Sequence, residues 1–380
     1  MIEVREVKTP REKKEFLDFP LKMYKGNDCF VPPLYMDEKK IFRADYVYYD
    51  TCEAVYYNAY RDGVMVGRIS GILQKVSNEK RGEKRIRFTR FDSIDDTEVA
   101  CALFEAVENW GRSLGMDTIC GPLGFSDLER EGLLIEGFDQ LSTFEEQYNA
   151  PYYARLLEAA GYVKEVDWIE RKVNSPDDGG ESLEKMADFI RRRYGLSVAP
   201  AKNIRDFLKR YADDMFEILD KSYAPLYGTV PMTEGTKKMI LENFRMIIRL
   251  NYVAAIVDEK GKVVCFGLCM PSLARAVQPS GGHMTPAALV RLLRAIRRPK
   301  ILDLALVGVD PEYANRGIST IITAALARML RENGVEYAET NLCLEDNYSI
   351  QNQWKRFNCV IHKRRRSYVK SLKKEENPSL

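Results

Sequence analysis

The chain has 380 residues, of which 45% are hydrophobic and 30% are charged, and its formal net charge at pH 7 is +2. This balance is typical of globular proteins and excludes a disordered chain, a coiled coil and a collagen-like repeat. At roughly 150 residues per domain, the length predicts two or three globular units. The sequence contains no run of about 18 apolar residues, so we expect no membrane-spanning segment and no membrane partner.

Cysteine and histidine usage argues against metal chemistry. The eight cysteines include no CxxC pair, and the chain starts without an apolar leader, so they indicate reduced thiols in a cytoplasmic protein. Only His283 and His362 are present, and neither lies beside a GxSxG or cysteine signature. A zinc hydrolase needs several nitrogen or sulfur ligands. We therefore expect no metal, and we expect both histidines at the surface.

The first half of the chain alternates between strand and helix patterns. In chain order these patterns predict a strand at 2–7, a helix at 9–24, strands at 54–60, 64–73 and 86–92, a helix at 99–114, a strand at 117–121, a helix at 151–160 and a strand at 163–173. Asp95 or Asp96 is predicted to cap the 99–114 helix, and Gly115 to end it. A long glycine-rich connection leads from the 117–121 strand to Phe138.

A second domain follows a short linker. The turn-forming sequence SPDDGGES predicts a linker at 176–182 between domains at 1–175 and 183–380. The second half then predicts helices at 204–222 and 236–248, a hairpin at 252–270, a helix beginning at 285–286, a strand at 301–309, a helix at 317–333, a strand at 337–344, a helix and a last strand. An offset of 199 aligns identical residues such as Tyr24 and Tyr223. A period near 200 residues predicts a duplicated domain.

One strand-to-helix turn in the second half carries chemistry. Residues 301–330 read as a strand, a turn and an amphipathic helix. The N-terminus of a helix presents unpaired N–H groups and partial positive charge, which makes it an anion site. Gly317 lets the backbone approach a phosphate closely, Ser319 and Thr320 add hydroxyl donors, and Arg316 adds a fixed cation. The pattern therefore predicts a phosphate-binding turn.

This segment and the later sequence NLCLEDNYSIQNQWKRF together resemble the acyl-CoA-dependent N-acyltransferase (GNAT) superfamily. In that superfamily the turn, usually Q/R-x-x-G-x-G/A, holds the CoA pyrophosphate. Here residues 314–319 read ANRGIS, which keeps Arg316 and the central Gly317 but lacks the leading Gln/Arg and the closing Gly/Ala. Over nearly its full length the chain also resembles a bacterial family of tandem GNAT-fold proteins described only as N-acetyltransferase-like.

The resemblance implies an α/β fold of two tandem GNAT-like domains, each a mixed, largely antiparallel sheet flanked by helices. It implies that acetyl-CoA or another acyl-CoA binds the second domain. The implied contacts are Val309, Asp310, Arg316, Gly317, Ile318, Ser319, Thr320 and Asn347. Many GNAT enzymes place a tyrosine, the general acid, about seven residues beyond the asparagine. That position holds Trp354 here, and an indole is not a useful acid, so no general acid is assigned.

The first domain is expected to be degenerate. Its equivalent turn, FDSIDDT at 91–97, has no glycine and three aspartates, which cap a helix well but repel a diphosphate. We therefore expect this domain to bind no CoA in the usual way and to serve either the acceptor side or a structural role. In its long connection, Glu131 and Glu136 are candidates to hold or deprotonate an amine. A solvated loop charge is the alternative for each.

Two basic stretches allow several interpretations. Arg291, Arg294 and Arg298 share one face of a helix, and residues 363–366 read KRRR. These residues indicate a solvated face, a partner for the 3′-phosphate of CoA, or a nucleic-acid patch. The low net charge and the lack of interleaved aromatic residues argue against nucleic acid.

These observations predict an acyl-CoA-dependent N-acyltransferase, most simply an acetyltransferase, that acts on a small-molecule or peptide amine. Two other functions stay open: a non-catalytic protein that binds acyl-CoA or a small molecule, and an aminoacyl-tRNA-dependent transferase. The sequence does not indicate the acceptor, the acyl length or the oligomeric state.

Overall fold

A computed structural model describes residues 1–373. Its strands are β1 (Ile2–Glu6), β2 (Cys52–Arg61), β3 (Val64–Gln74), β4 (Arg85–Ser93), β5 (Thr118–Gly121), β6 (Leu133–Glu136), β7 (Val163–Asn174), β8 (Ser197–Val198), β9 (Val253–Val257), β10 (Val263–Pro271), β11 (Ile301–Val309), β12 (Tyr337–Thr340), β13 (Cys343–Leu344) and β14 (Asn358–Ser371). Its helices are α1 (Pro10–Met23), α2 (Tyr35–Glu38), α3 (Lys75–Arg81), α4 (Thr97–Ser113), α5 (Tyr153–Ala159), α6 (Glu181–Arg193), α7 (Ile204–Tyr223), α8 (Glu234–Ile247), α9 (Ala274–Val277), α10 (Pro286–Arg297), α11 (Ser319–Glu332) and α12 (Tyr348–Gln353).

The chain divides into two compact units that are not consecutive in sequence. Of the described residues, unit 1 comprises 1–168, 277–285 and 363–373, and unit 2 comprises 169–276 and 286–362. Unit 1 completes its sheet with the C-terminal part of β14, which is one reason why the units interleave. The predicted boundary at 176–182 separates the two sets of elements in chain order. The two compact units are divided at other positions, because each contains residues from both halves of the chain.

Unit 1 is built on a mixed sheet in the order β1-β2-β3-β4-β5-β14. Neighbouring strands are antiparallel, except that β4 and β5 are parallel in the register Arg85↔Thr118. The last strand is the C-terminal part of β14, where Tyr368 pairs with Gly121. The apolar stripe of α4 is buried in the same core cluster as residues of β3, β4 and β5.

Unit 2 repeats this plan in the order β12-β11-β10-β9-β8, with residues 169–174 of β7 beside β12. Here β11 and β12 are the parallel pair, in the register Ile301↔Tyr337, and α11 follows β11 as α4 follows β4. Each unit thus has one strand–helix–strand crossover within an otherwise antiparallel sheet. This architecture confirms the predicted fold class, and the repeated order of elements agrees with the predicted duplication.

The region predicted as a linker is the cap of a helix that the sequence patterns did not predict. Asp178 accepts hydrogen bonds from the N–H groups of Gly180 and Ser182, each at 2.9 Å, and α6 begins at once. The short apolar stripe of α6 is buried in the core of unit 2, and Glu184 forms an ion pair with Arg331 of α11 at 2.9 Å. Tertiary packing therefore stabilises a helix whose local pattern is weak.

Phe104 tests how strongly the core of unit 1 is packed. Its ring is 1% exposed and lies 4.7 Å, between centroids, from the rings of both Phe91 and Tyr162. Truncating a buried phenylalanine to alanine costs about 3–5 kcal/mol. We expect Phe104→Ala to lower the free energy of unfolding by this amount in urea titrations followed by circular dichroism. Phe189→Ala, at a position 62% exposed, is the control and should change it by less than about 1 kcal/mol; equal losses would contradict this account.

Candidate functional site

Strand β11 has an open edge in unit 2. It pairs with β12 only from Ile301↔Tyr337 to Leu304↔Thr340, although β11 continues to Val309. On its other side the register with β10 shifts, because Leu268 pairs with Leu306 whereas the next residue, Cys269, pairs with Leu304. The extra residue, Ala305, is a bulge, and bulges bend a strand. The two parallel strands therefore separate beyond Leu304.

The amide of Val309 points into this open edge. The N–H of Asp310 donates to the carbonyl of Val264 on β10 at 2.8 Å, so Asp310 faces β10. Amides alternate along a strand, so Val307 and Val309 face the opposite side. The carbonyl of Val307 indeed accepts from the hydroxyl of Tyr223, which is not on β10, at 2.9 Å. The N–H of Val309 is thus directed to the side that β12 has left.

The turn after β11 presents a row of free amides. Asp310 caps a short 3-10 turn by accepting from the N–H of Glu312 at 2.9 Å. Asn315 and Gly317 then have positive φ angles of 61° and 75°. Within the described residues, none of the five consecutive N–H groups at 315–319 has a hydrogen-bond acceptor, and helix bonding begins when the N–H of Thr320 donates to the carbonyl of Gly317 at 2.9 Å. This is the anion-binding geometry of a helix N-terminus.

The side chains of this turn divide into outward and inward sets. Arg316 and Gly317 are exposed, and the Arg316 guanidinium lies 5.2 Å from the ring of Tyr313. Ile318 is 1% exposed and belongs to the core of unit 2. Thr320 is 3% exposed, and its hydroxyl accepts from Arg356 at 2.8 Å. The hydroxyl of Thr320 is therefore already engaged, whereas its neighbour Ser319 is partly accessible.

Asn347 and Trp354 lie at the two ends of α12. The Asn347 side chain caps the helix by accepting from the N–H of Ile350 at 3.3 Å. Trp354 is 7% exposed and packs against Phe357, with centroids 6.1 Å apart. Tyr348 is 74% exposed. Trp354 is thus a core residue, and α12 provides no buried phenol that could act as an acid.

The corresponding helix N-terminus in unit 1 is capped by an aspartate side chain of the same unit. Asp96 accepts from the N–H groups of Glu98 and Val99 at 3.0 and 3.2 Å, so it is the cap of α4 that the sequence predicts. The hydrogen bond from Arg61, 2.8 Å away, keeps the pKa of Asp96 below its usual value. Asp92 is buried and pairs with Arg68 at 2.8 Å. A permanent carboxylate therefore occupies the position of an anionic ligand.

The two glutamates of the long connection differ in their exposure to solvent. Glu136 has a side chain that is 62% exposed and lies 3.5 Å from Arg364, which matches the interpretation as a solvated charge. Glu131 is 4% exposed, and its Oε1 atom has no hydrogen-bond partner within the described residues. Burial, together with the nearby carboxylate of Asp127, holds the pKa of Glu131 well above its usual value. Buried, shifted carboxyl groups are candidates for functional sites.

Other polar groups of unit 1 lie along the same segment. The N–H of Glu131 donates to Glu146 at 3.4 Å, and the hydroxyl of Tyr46 donates to Glu129 at 2.9 Å. The buried hydroxyl oxygens of Ser142 and Thr143 also lack partners within the described residues. Buried polar groups are normally satisfied, so each of these orphans indicates a place for water or a ligand. We call the side chains of Glu131, Ser142 and Thr143 the orphan groups.

The basic run 363–366 is not a surface patch. Lys363 and Arg365 are 0% exposed, and they donate to the carbonyls of Leu141 and Gln147 at 3.3 and 2.5 Å. Arg366 pairs with Asp167 at 2.7 Å. Because the run is a strand, alternate residues point inward. The interpretation of this run as a nucleic-acid patch is therefore wrong; a helical or coil setting would be needed to present all four charges.

The histidines differ from each other. His283 is exposed, as predicted, and its ring stacks on Tyr35 with centroids 4.3 Å apart. The side chain of His362 is only 10% exposed and lies 3.2 Å from Glu339, so its prediction as a surface residue is wrong. It lies on β14, whose neighbours cover it. Within residues 1–373 no group of three or more His, Cys, Asp or Glu side chains is arranged to hold a metal ion.

Solved structures share this architecture. A tandem GNAT protein from the clavulanic acid biosynthesis pathway aligns with 99% of this chain and 100% of its own, with a TM-score of 0.56 and 12% identity. A GCN5-related glucosamine N-acetyltransferase region of a fungal multi-domain GH3 beta-N-acetylglucosaminidase aligns with 97% of this chain and 38% of its own, with a TM-score of 0.56 and 14% identity. The chain therefore has the tandem GNAT fold.

Two curated proteins are similar to nearly the whole chain. Protein YghO of Escherichia coli (strain K12) is 27% identical over 386 residues, which cover 97% of this chain and 95% of that protein. The bacterial ceramide synthase of Caulobacter vibrioides (strain NA1000 / CB15N) is 26% identical over 380 residues, which cover 96% of each. No family model matches the sequence.

The raised pKa of Glu131 has a measurable effect on stability. Between about pH 4.5, the ordinary pKa of this carboxyl, and its higher value in the folded state, the folded protein holds a proton that the unfolded chain releases, so stability falls as the pH rises through that range. Glu131→Gln removes this loss. We expect the melting temperature of the variant relative to the native protein to increase from pH 5 to pH 8.

Glu136→Gln is the matched control, because the same change is made on an exposed carboxyl in the same segment. Its melting temperature relative to the native protein should be nearly independent of pH. If the difference in melting temperature from the native protein varied with pH in the same way for both variants, Glu131 would titrate like a solvated carboxyl.

Proposed function

We propose that this protein is an acyl-CoA-dependent N-acyltransferase. The observation that carries the proposal is the open edge of β11, which runs directly into a turn with five free amides at 315–319. The extended thioester arm of acyl-CoA would lie along the open edge of β11, and its diphosphate would bind the free amides of the turn. The shared fold with GNAT proteins supports the proposal. One of them is a glucosamine N-acetyltransferase, whose activity is of the same class.

The turn would hold the pyrophosphate of CoA. The free N–H groups at 315–319 supply donors, and the positive φ of Gly317 leaves the backbone open to close approach. Arg316 would add a cation, and Ser319 a hydroxyl. Ile318 would contribute through its backbone only, because its side chain is in the core. Asp310 and Asn347 would act indirectly, since both cap local turns.

Acyl transfer at this site would depend on positioning and on one hydrogen-bond donor. An amine nitrogen attacks the thioester carbonyl, the carbonyl oxygen becomes an oxyanion, and the CoA thiolate leaves as the amide forms. The N–H of Val309, directed to the open edge of β11, is the donor for that oxyanion. Preorganised donors of this kind commonly contribute 10²–10³-fold to the rate. Within residues 1–373, helix α12 offers no buried phenol that would protonate the thiolate.

We further propose that the acceptor is a long-chain amino alcohol. The supporting observations are the similarity to a bacterial ceramide synthase over 96% of each chain and the orphan groups of unit 1. Ceramides are amides of long-chain amino alcohols. An ammonium group beside Glu131 would favour the ionised carboxylate, so this carboxyl would release its proton to solvent when the acceptor binds, and the hydroxyl oxygens of Ser142 and Thr143 would bind the hydroxyl group. Each buried orphan would then have a partner of matching chemistry.

A non-catalytic acyl-CoA-binding protein is the second candidate. The observation that favours it is Trp354, a buried core residue where many GNAT enzymes have their acid. The two candidates share the CoA site and differ in turnover, so release of free thiol distinguishes them. The aminoacyl-tRNA-dependent alternative has lost its main support, because the inward-facing residues of the KRRR run are buried.

Gly317→Glu tests the CoA site. The substitution places a side chain and a negative charge in the turn, at a position with a φ of 75°. Losing one charge-assisted hydrogen bond costs about 1.5–3 kcal/mol, so we expect CoA affinity to fall roughly 10- to 150-fold. Arg316→Ala should weaken binding less, since an exposed ion pair is worth about 0–1 kcal/mol. Isothermal titration calorimetry with CoA measures both, and should find one site per chain.

Gly334→Glu is the control for this prediction. Gly334 ends the same helix, α11, has a similar φ of 64°, and has open space around it. The same substitution there should leave CoA affinity unchanged, while the strain of the backbone is comparable. If both variants fold, as judged by circular dichroism, and bind CoA equally, the turn at 315–319 is not the site.

Thiol release from acyl-CoA tests turnover and the acceptor. We expect the native protein to release CoA in the presence of sphinganine, a long-chain amino alcohol, and to be much slower with hexadecylamine, which lacks the hydroxyl groups. Glu131→Gln should raise the KM for sphinganine at least tenfold, because glutamine cannot form the carboxylate that pairs with the bound ammonium, while the KM for acyl-CoA stays unchanged. Glu136→Gln should alter neither. No release with any amine would favour the binding protein.

A further inference from the structure

Helix α10 presents an apolar face to solvent. Leu289, Val290 and Leu293 are 48%, 65% and 44% exposed. Their spacing of one, three and four residues places them together on one side of the helix. The other side carries Ala288 and Leu292, which are buried, at 1% and 7% exposed. The outward apolar residues therefore do not belong to the core.

Arginines without ion pairs border this face. At 100° per residue, Arg297 falls in the same arc as the apolar residues, and Arg294 and Arg298 fall beside that arc. All three are exposed, and none makes an ion pair within the described residues. The segment 284–302 contains five Lys or Arg residues and no Asp or Glu, whereas the whole chain has a net charge of only +2. The positive charge is concentrated around the exposed apolar face.

We propose that α10 docks the protein onto an anionic lipid surface. In this arrangement Leu289, Val290 and Leu293 enter the boundary between headgroups and acyl chains, and the three arginines contact lipid phosphates. A strongly amphipathic helix with arginines around its apolar residues is the usual form of such an anchor. Each cation beside an anionic leaflet strengthens binding roughly fivefold, so three together contribute on the order of 100-fold.

Anionic lipid matches both features of the face, and other partners match only one. Nucleic acid would pair with the arginines and leave the apolar side chains in water. A second copy of this chain, if it met α10 with α10, would bury the apolar side chains and bring like charges together. A lipid surface offers phosphates next to hydrocarbon. The basic charge therefore selects an anionic bilayer as the partner.

This contact is independent of the proposed catalytic activity and needs no spanning segment. None of the helices in residues 1–373 is long and apolar enough to cross a bilayer. The expectation of no membrane partner rests on the lack of a spanning run. A helix that lies in the interface makes a surface contact without one.

Vesicle sedimentation tests the proposal with the full-length protein. We expect it to sediment with vesicles of equal parts POPG and POPC, and to remain in solution with pure POPC. The variant Arg294→Gln/Arg297→Gln/Arg298→Gln should bind the POPG vesicles on the order of 100-fold more weakly. The variant Val290→Gln/Leu293→Gln keeps every charge and should also bind more weakly, since it removes the inserted apolar groups.

Helix α6 provides a matched control. It carries Arg191, Arg192 and Arg193 in its last turn and exposes Phe189 to 62%, but it also contains three acidic residues. Replacing these three arginines by glutamine changes the net charge equally and should leave vesicle binding nearly unchanged. Equal losses in both triple variants, or no binding of the native protein to POPG vesicles, would overturn the proposal. So would a native dimer, seen by light scattering without lipid, that the α10 variants dissociate.

Discussion

The separation of β11 from β12 is the constraint on which the candidate site depends. Two parallel strands that stayed paired to their ends would satisfy each other's backbone groups and leave no donor for a ligand. The bulge at Ala305 ends that pairing after Leu304, so the last residues of β11 keep one edge free. The amides of the turn at 315–319 are free for a different reason, because the helix bonds have not yet begun there. The bulge and the helix N-terminus together produce two sets of free amides.

The two units show how a single cap decides what a helix N-terminus does. Helices α4 and α11 follow equivalent strands, and both carry the partial positive charge of a helix start. In unit 1 that charge is neutralised by Asp96, which is itself paired with Arg61. In unit 2 the residue before the helix is Ile318, whose side chain is buried and cannot cap. The same fold therefore yields a self-satisfied helix in one unit and a helix start with free amides in the other.

Much of the fold could be predicted from the sequence because strong periodic patterns determine it. The strands at 54–60, 64–73 and 301–309, the cap at Asp96 and the turn around Gly317 all follow from local signals, and the structure contains each of them. Helix α6 could not be predicted, since its stability comes from contacts with α11 that are distant in sequence. The same limit applies to 363–366: a run of four basic residues suggests a charged surface until its strand pairing is known.

The candidate site was predictable in part for the same reason. A glycine in a strand-to-helix turn is visible in the sequence, whereas the difference between Glu131 and Glu136 is not. Both follow the same glycine-rich segment, and only the chain folded over Glu131 removes it from water. The orphaned hydroxyls of Ser142 and Thr143 had no sequence signal at all. Burial of a polar group is a property of the folded chain, so local patterns cannot report it.

Buried charge in unit 1 argues that this unit is more than a packing partner. Arg90 pairs with Glu38 at 2.6 Å, and although burial opposes ionisation, that arginine lowers the pKa of Glu38 to about 2. Lys363 and Arg365 are fully buried as well. Apolar residues of similar volume commonly stabilise a core as well as a buried ion pair does, so packing alone gives little reason to retain such charges. A polar ligand gives a reason, because the groups that cost stability in the free protein are the ones that would recognise it.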